Sequence, residues 1–232
     1  MMKPIVVETG KPLYTPKLLQ KFLLICGIFS SLWYVVINIV TPAQYAGYSI
    51  ASQTVSELSA IDTPTRTLWV VLCIFYTLLL IAFGWGVWVS AGDNKKLRVV
   101  AVVVVFDAVF GLFWPPMHQR EVIAAGGGTL TDTLHLVWAF VHLILMLLMI
   151  GFGAAAFGKQ FRNYSIATVV VFIVFGILTT MESSGIEAGK PTPYIGIWER
   201  INMGAYMLWI VVFAIVLLQS EKMRNTMNAI NA

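Results

Sequence analysis

Residues 134–157, LHLVWAFVHLILMLLMIGFGAAAF, decide the fold: 24 residues without one Asp, Glu, Lys or Arg, broken in polarity only by His135 and His142. The hydrocarbon core of a bilayer is ~30 Å thick, so about 20 apolar residues in helix cross it. Five further stretches read the same way, giving six spans at about 18–40, 67–90, 99–117, 134–157, 166–182 and 200–219. The composition agrees, with 59% of the 232 residues from the AVILMFWYC set and 11% charged, against about 25% charged in soluble domains. What lies outside the spans is too short for a soluble domain, and no ten-residue alternation suggests a membrane β-barrel. The expectation is a single all-α, polytopic membrane helical bundle over 1–232, with the lipid bilayer as its first partner. A net charge of +4 from scattered cations excludes a nucleic-acid binder.

Orientation follows from the cations. Lys3, Lys11, Lys17 and Lys21, the connections 91–98 and 158–165, and the tail residues Lys222 and Arg224 hold eleven of the fifteen Lys and Arg. Arg66, Arg120, Lys190 and Arg200 remain on the other side. The positive-inside rule then puts both termini in the cytoplasm of a cell, inner or plasma, membrane. The first span is longer than the ~7–15-residue core of a cleavable signal. Cys26 and Cys73 fall at opposite depths of spans one and two, too far apart for the ~4.4–6.8 Å of a disulfide.

The outer connections, about 41–66, 118–133 and 183–199, are long, as functional loops tend to be. Of the acids only Glu8, Asp93 and Glu221 are cytoplasmic, while Glu57, Asp62, Asp107, Glu121, Asp132, Glu182, Glu187 and Glu199, with all three histidines, fall in the outer half or the membrane. Some of these residues read as caps. Thr54 and Glu57 have capping-box spacing and suggest a short helix on the membrane surface; Thr129 and Asp132 repeat it before span four. Thr63-Pro64 and Thr192-Pro193 look like helix starts, the second placing Glu199 and Arg200 two turns in.

Capping leaves the in-span groups unexplained. Asp107 is near mid-bilayer, where a carboxylate is costly unless it faces the bundle interior. Asp132, His135 and His142 share one face of span four with Trp138 beside them. That stripe has three readings: a hydrogen-bond network between helices, a ligand or proton site opening outward, or a metal site using His118 and His135 with a carboxylate. Pro115-Pro116 must break span three, leaving His118 on a rigid turn at the surface. Gly126-Gly127-Gly128 lacks the Lys-Ser/Thr of a phosphate loop and reads as a linker; the cofactor is left unknown, none being strongly implied. Neighbouring residues on a helix point ~100° apart, which sends Glu199 and Arg200 to different partners. Trp33, Trp69, Trp114, Trp138 and Trp198 suit the interface, and the small residues Gly84, Gly86, Gly151/Ala155 and Ala154/Gly158 suit close packing at the cytoplasmic end.

Three segments, Ser56-Glu57-Leu58-Ser59-Ala60, Phe113-Trp114-Pro115-Pro116-Met117-His118 continuing through Thr131-Asp132-Thr133-Leu134-His135, and Gly196-Ile197-Trp198-Glu199-Arg200-Ile201-Asn202-Met203-Gly204, together resemble a bacterial and archaeal family known as domain of unknown function 998. The resemblance covers all six spans and implies a six-helix integral membrane protein. It supplies no activity and no catalytic residue. Zinc-dependent hydrolases of the alkaline-ceramidase type fit less well, since no histidine precedes His118 and His135 and His142 are seven apart, not four.

The expected site is an outward polar pocket lined by Glu57, His118, Asp132, His135, Glu199 and Arg200, with Asp107 beneath, for a small molecule, a lipid or a partner. The alternative is a metal-dependent hydrolase of a lipid substrate, with His118 and His135 as ligands and Glu199 as base. Proton-coupled transport through Asp107 is a third reading, weakened by the absence of a polar path through the cytoplasmic half.

Overall fold

The computed structural model describes residues 17–230; Lys3, Glu8 and Lys11, used above for orientation, lie outside them. Among the described residues the chain is helical and has no strand, with α1 Lys17–Val40, α2 Arg66–Ala91, α3 Lys95–Phe110, α4 Arg120–Ala124, α5 Leu130–Ala156, α6 Lys159–Glu187 and α7 Ile195–Ile230. Five of these, α1, α2, α5, α6 and α7, are long and apolar enough to cross a membrane. The predicted span 99–117 is the exception. Its helix α3 has 16 residues, ~24 Å of rise, then tightens into a 3-10 turn at Gly111–Phe113 and becomes extended at Trp114. The diproline supplies the reason: a residue before proline is pushed out of helical conformation, and neither proline donates an amide.

The six long helices close a ring, each packing on its neighbour: α1 on α2, α2 on α3, α3 on α5, α5 on α6, α6 on α7 and α7 back on α1. At one end the turns are tight. Gly92 takes φ +50, and Asn94 caps α3 by accepting from the amides of Lys96 (3.1 Å) and Leu97 (3.3 Å). At the other end lie the long loops, knitted together by Ile61 N–H to the Met117 carbonyl (2.8 Å) and Gly196 N–H to the Ala51 carbonyl (2.9 Å). Large apolar side chains such as Phe22, Leu32, Val71, Leu136 and Ile166 stand exposed around the ring, a surface that only a lipid solvent accommodates.

The core lies toward the tight-turn end, around Phe83, Val87, Met149, Trp209 and Phe213. Trp209 and Phe213 stack at 4.8 Å, and the Trp209 indole donates to Ser165 Oγ (2.9 Å). Gly84 and Gly86 admit Val105 and Leu23 as their small size suggests. In α5, however, the expected pairs are displaced. Gly151 and Gly158 have open space where a Cβ would go, while a Cβ on Gly153 would meet the Trp209 ring at 2.7 Å. Gly153→Ala is therefore expected to lower thermal stability by about 1–3 kcal/mol through overpacking. Gly151→Ala should lose nothing, and melting curves of the two variants in detergent check the contrast.

Candidate functional site

The loop between α1 and α2 is built around one carboxylate. Thr54 and Glu57 form the reciprocal capping pair their spacing suggests: Glu57 Oε1 accepts the Thr54 amide (2.9 Å) and hydroxyl (3.1 Å), and the Glu57 amide donates to Thr54 Oγ1 (3.3 Å). The expected surface helix is instead a four-residue 3-10 turn, Ser56–Ser59, with Glu57, Leu58 and Ser59 buried. Leu58 is fully buried, so the turn is drawn inward, and Glu57 needs a countercharge there. Arg120, at the start of α4, supplies it through a two-pronged contact, Nε to Oε2 at 2.7 Å and Nη2 to Oε1 at 2.6 Å. The guanidinium also donates to the Ser52 carbonyl (2.8 Å) and Thr192 Oγ1 (3.1 Å), and Gln53 Nε2 donates to Glu57 Oε2 (2.9 Å). Bonding to the carboxylate pushes the Arg120 pKa above its ordinary value, fixing the charge.

Glu199 and Arg200 fasten the same loop to α7 and go to different partners, as their adjacency on a helix requires. Glu199 Oε2 accepts the Val55 amide at 2.5 Å. Arg200 donates to the carbonyls of Ile50 (2.9 Å), Gln53 (3.2 Å) and Gly196 (3.0 Å) and to the Tyr48 hydroxyl (2.6 Å). They lie one turn into α7, not two, because Thr192 does not cap the helix: its hydroxyl donates to Ser52 O (3.0 Å). Gly196 is required here, since a Cβ would collide with the Gln53 and Ile50 carbonyls. Thr63 likewise does not start α2, which begins at Arg66; its hydroxyl turns back to the Ala60 carbonyl (2.8 Å).

Tyr48 reads the same joint from the loop side. Its hydroxyl donates to the Thr54 carbonyl (2.7 Å) while accepting from Arg200. Burial pushes its phenol up to about 12, partly opposed by Arg200, from an ordinary value near ~10. A pKa raised by folding gives stability that is whole below the unfolded value and is lost as pH rises through the folded one. The stability difference between wild type and Tyr48→Phe should thus be constant below pH ~10 and shrink between ~10 and about 12. Melting temperatures at pH 9 and 11.5 test it.

Each of the three histidines has its own partner. The His118 amide donates to Asp132 Oδ1 (2.7 Å) and its Nδ1 lies 2.9 Å from Oδ2, while Asp132 also accepts the Thr129 amide (2.8 Å) in the expected capping box. His135 Nδ1 lies 2.7 Å from the Pro115 carbonyl and its Nε2 3.1 Å from Ser56 Oγ. His142 Nδ1 approaches Asp107 Oδ1 to 2.6 Å inside the bundle. The α5 stripe is real, with Trp138 between the two deeper imidazoles at 5.6 and 4.2 Å. Its members nevertheless serve different segments. Both candidate metal ligands, His118 and His135, turn Nδ1 to a protein oxygen, and among the described residues no group of three or more His, Cys, Asp or Glu is placed to hold a metal.

Of the expected residues, Glu57, Glu199 and Arg200 meet in one cap, His135 joins it through Ser56, His118 and Asp132 form a pair beside it, and Asp107 lies apart with His142. Sequence reasoning missed Arg120 and Ser56 as functional partners, and it placed His142 on the α5 stripe without pairing it with Asp107. Two of the three carried a signal: a buried Glu57 demands a cation from the same side, and an acid within a span demands an in-span partner. Three of the expected interfacial indoles, Trp33, Trp138 and Trp198, donate to Leu72 O (3.0 Å), Phe110 O (3.3 Å) and Glu182 Oε1 (3.1 Å) within the protein. An open depression of about 400 Å³ lies against the cap, lined by Tyr45, Ser49, Ser52, Gln53, Gln119, Arg120 and Glu121. None of the seven expected residues lines it; Arg120 connects it to Glu57.

A ring of six helices, five of them apolar and of bilayer length, with polar loops gathered at one end, defines an integral membrane protein. The family model described as a protein of unknown function, DUF998, matches residues 28–216, and the chain belongs to that family. No curated protein and no solved structure matches the chain.

Proposed function

We propose that the protein crosses the cell membrane six times with both termini in the cytoplasm, and that its outer end binds a small polar molecule or the headgroup of a lipid. Three features support the topology: the cations collect at the tight-turn end, α3 with its 3-10 turn is 19 residues long, and the residue following that turn leads to Met117, bonded to the loop at Ile61. The observation that carries the binding reading is the depression on Arg120. Its hydroxyl, amide, phenol, guanidinium and carboxylate groups offer paired donors and acceptors without a large net charge, which suits a polyol or a zwitterion better than a strong anion.

Ala46 is exposed on the rim and makes no bond in the cap. Native mass spectrometry of protein taken from cell membranes into nanodiscs should show a retained polar adduct that Ala46→Trp abolishes. An adduct kept by Ala46→Trp, or none on either protein, would remove the depression as the binding place. A lipid-sized mass distinguishes a headgroup from a free solute.

A further inference from the structure

Ser56 sits at the start of the 3-10 turn and is half-buried, whereas its partner His135 is 5% exposed. A carbonyl oxygen can only accept, so the 2.7 Å contact to Pro115 O requires the proton on His135 Nδ1. In the neutral imidazole Nε2 then carries the lone pair, and the Ser56 hydroxyl, 3.1 Å away, is the donor to it. The arrangement is a hydroxyl, a base aimed at it, and an acceptor that fixes the tautomer of the base. Those are the geometric requirements of an activated nucleophile.

The neighbours of Ser56 are held more firmly than a helix contact needs. Val55 is fixed by the Glu199 carboxylate, Glu57 by the Arg120 fork, and Thr54 by Glu57 and Tyr48. Four anchors from α4, α7 and the loop therefore meet on the residues flanking one hydroxyl, the kind of supporting shell that keeps a reacting group in place. The Glu57 and Leu58 amides are spent on the Thr54 and Val55 carbonyls, whereas among the described residues the Ser56 N–H makes no bond of that kind. Nearby on α5, Leu134 and Leu136 are exposed to lipid, so an acyl chain in the bilayer can approach the level of the turn.

We propose that Ser56 and His135 form a catalytic dyad that cleaves a carboxylic ester of an amphiphile at the membrane surface. Ser56 Oγ adds to the ester carbonyl carbon as its proton passes to His135 Nε2. The tetrahedral intermediate collapses, breaking the bond to the leaving alcohol, which takes that proton from Nε2. Water then adds to the acyl-serine, giving its proton to Nε2; the Ser56 oxygen leaves and takes the proton back, releasing the carboxylic acid. Atoms and charges balance with ester and water alone. This goes beyond ligand binding in the depression, which Ser56 does not line.

The test is covalent. Full-length protein in nanodiscs, treated with a fluorophosphonate, should gain one phosphonyl mass that peptide mapping places on Ser56. Ser56→Ala should show none, and His135→Gln should react at least about 10-fold more slowly, since general bases contribute about 10²–10⁴. Ser59→Ala, at the next serine of the turn, whose hydroxyl donates only to the Ser56 carbonyl, should label like wild type. Absence of labelling on monodisperse wild type, or a mass gain that survives Ser56→Ala, would overturn the dyad and leave a bond between segments. That failure is separable from loss of the adduct in Ala46→Trp, which reads the depression alone.

Discussion

Arg120→Ala is expected to cost about 3–5 kcal/mol of stability, because removing one partner of a buried ion pair abandons the other charge. Glu57 is 3% exposed and accepts from Thr54 and Gln53 as well as from Arg120. Those neutral donors cannot balance a carboxylate. The arginine also closes a second joint, since its Nη groups reach Ser52 O and Thr192 Oγ1 and so tie the first long loop to the segment before α7. Arg120→Lys should recover only part of the loss: an ammonium is one point of charge and cannot match the two-pronged contact at 2.6 and 2.7 Å. Glu57→Gln should be milder, since Arg120 is about one-fifth exposed and can turn to water. Thermal unfolding in detergent, followed by size exclusion, ranks the three. Equal, sub-kcal losses would mean that the pair is screened by water and that the cap is held by its backbone bonds.

How much of this was legible beforehand depends on the range of the interaction. The helices were readable because burial in lipid acts on each ~20-residue window by itself. α1, α2 and α5 begin and end within four residues of their predicted limits. The bond between Thr54 and Glu57, and that between Thr129 and Asp132, were readable because both partners are three residues apart. α3 shows the limit: the prolines were seen, but hydropathy carried the predicted span to residue 117, past the point where backbone geometry stops the helix at Phe110. Hidden from the sequence were the pairs set by tertiary closure. Glu57 and Arg120 are 63 residues apart, His135 and Ser56 79, Val55 and Glu199 144. Each polar residue announced that it needed a partner without naming which, so the outer polar groups could be sorted to one end but not matched. Matching is also what changes their meaning. Residues expected to open a pocket are spent on contacts within the protein, only His118 and Asp132 on each other, and the concave surface falls beside them at Ser52, Gln53 and Gln119.

His142→Ala should be the most damaging change within the apolar bundle, and the reason separates two ideas about buried polar pairs. An ordinary interhelical hydrogen bond in a membrane contributes only about 0.6 kcal/mol, whereas deserting a buried charge costs several. Asp107 Oδ1 and His142 Nδ1 are 2.6 Å apart, with side chains 5% and 13% exposed. The contact is too bent to be a hydrogen bond, and neither that oxygen nor His142 Nε2 has any other partner. No second donor stands ready for the acid once the imidazole is removed. Removing one partner of a buried pair typically costs about 3–5 kcal/mol, which is the loss expected for His142→Ala. Asp107→Ala should cost less, because the imidazole it leaves is already packed against Trp138 at 4.2 Å and Phe110 at 5.2 Å. The double variant should be more stable than His142→Ala alone, with a coupling above about 1.4 kcal/mol in the cycle. Additive losses of about 0.6 kcal/mol each would mean that the pair is a neutral contact; a large coupling means that α3 and α5 are locked by charge at a depth where lipid would otherwise exclude it.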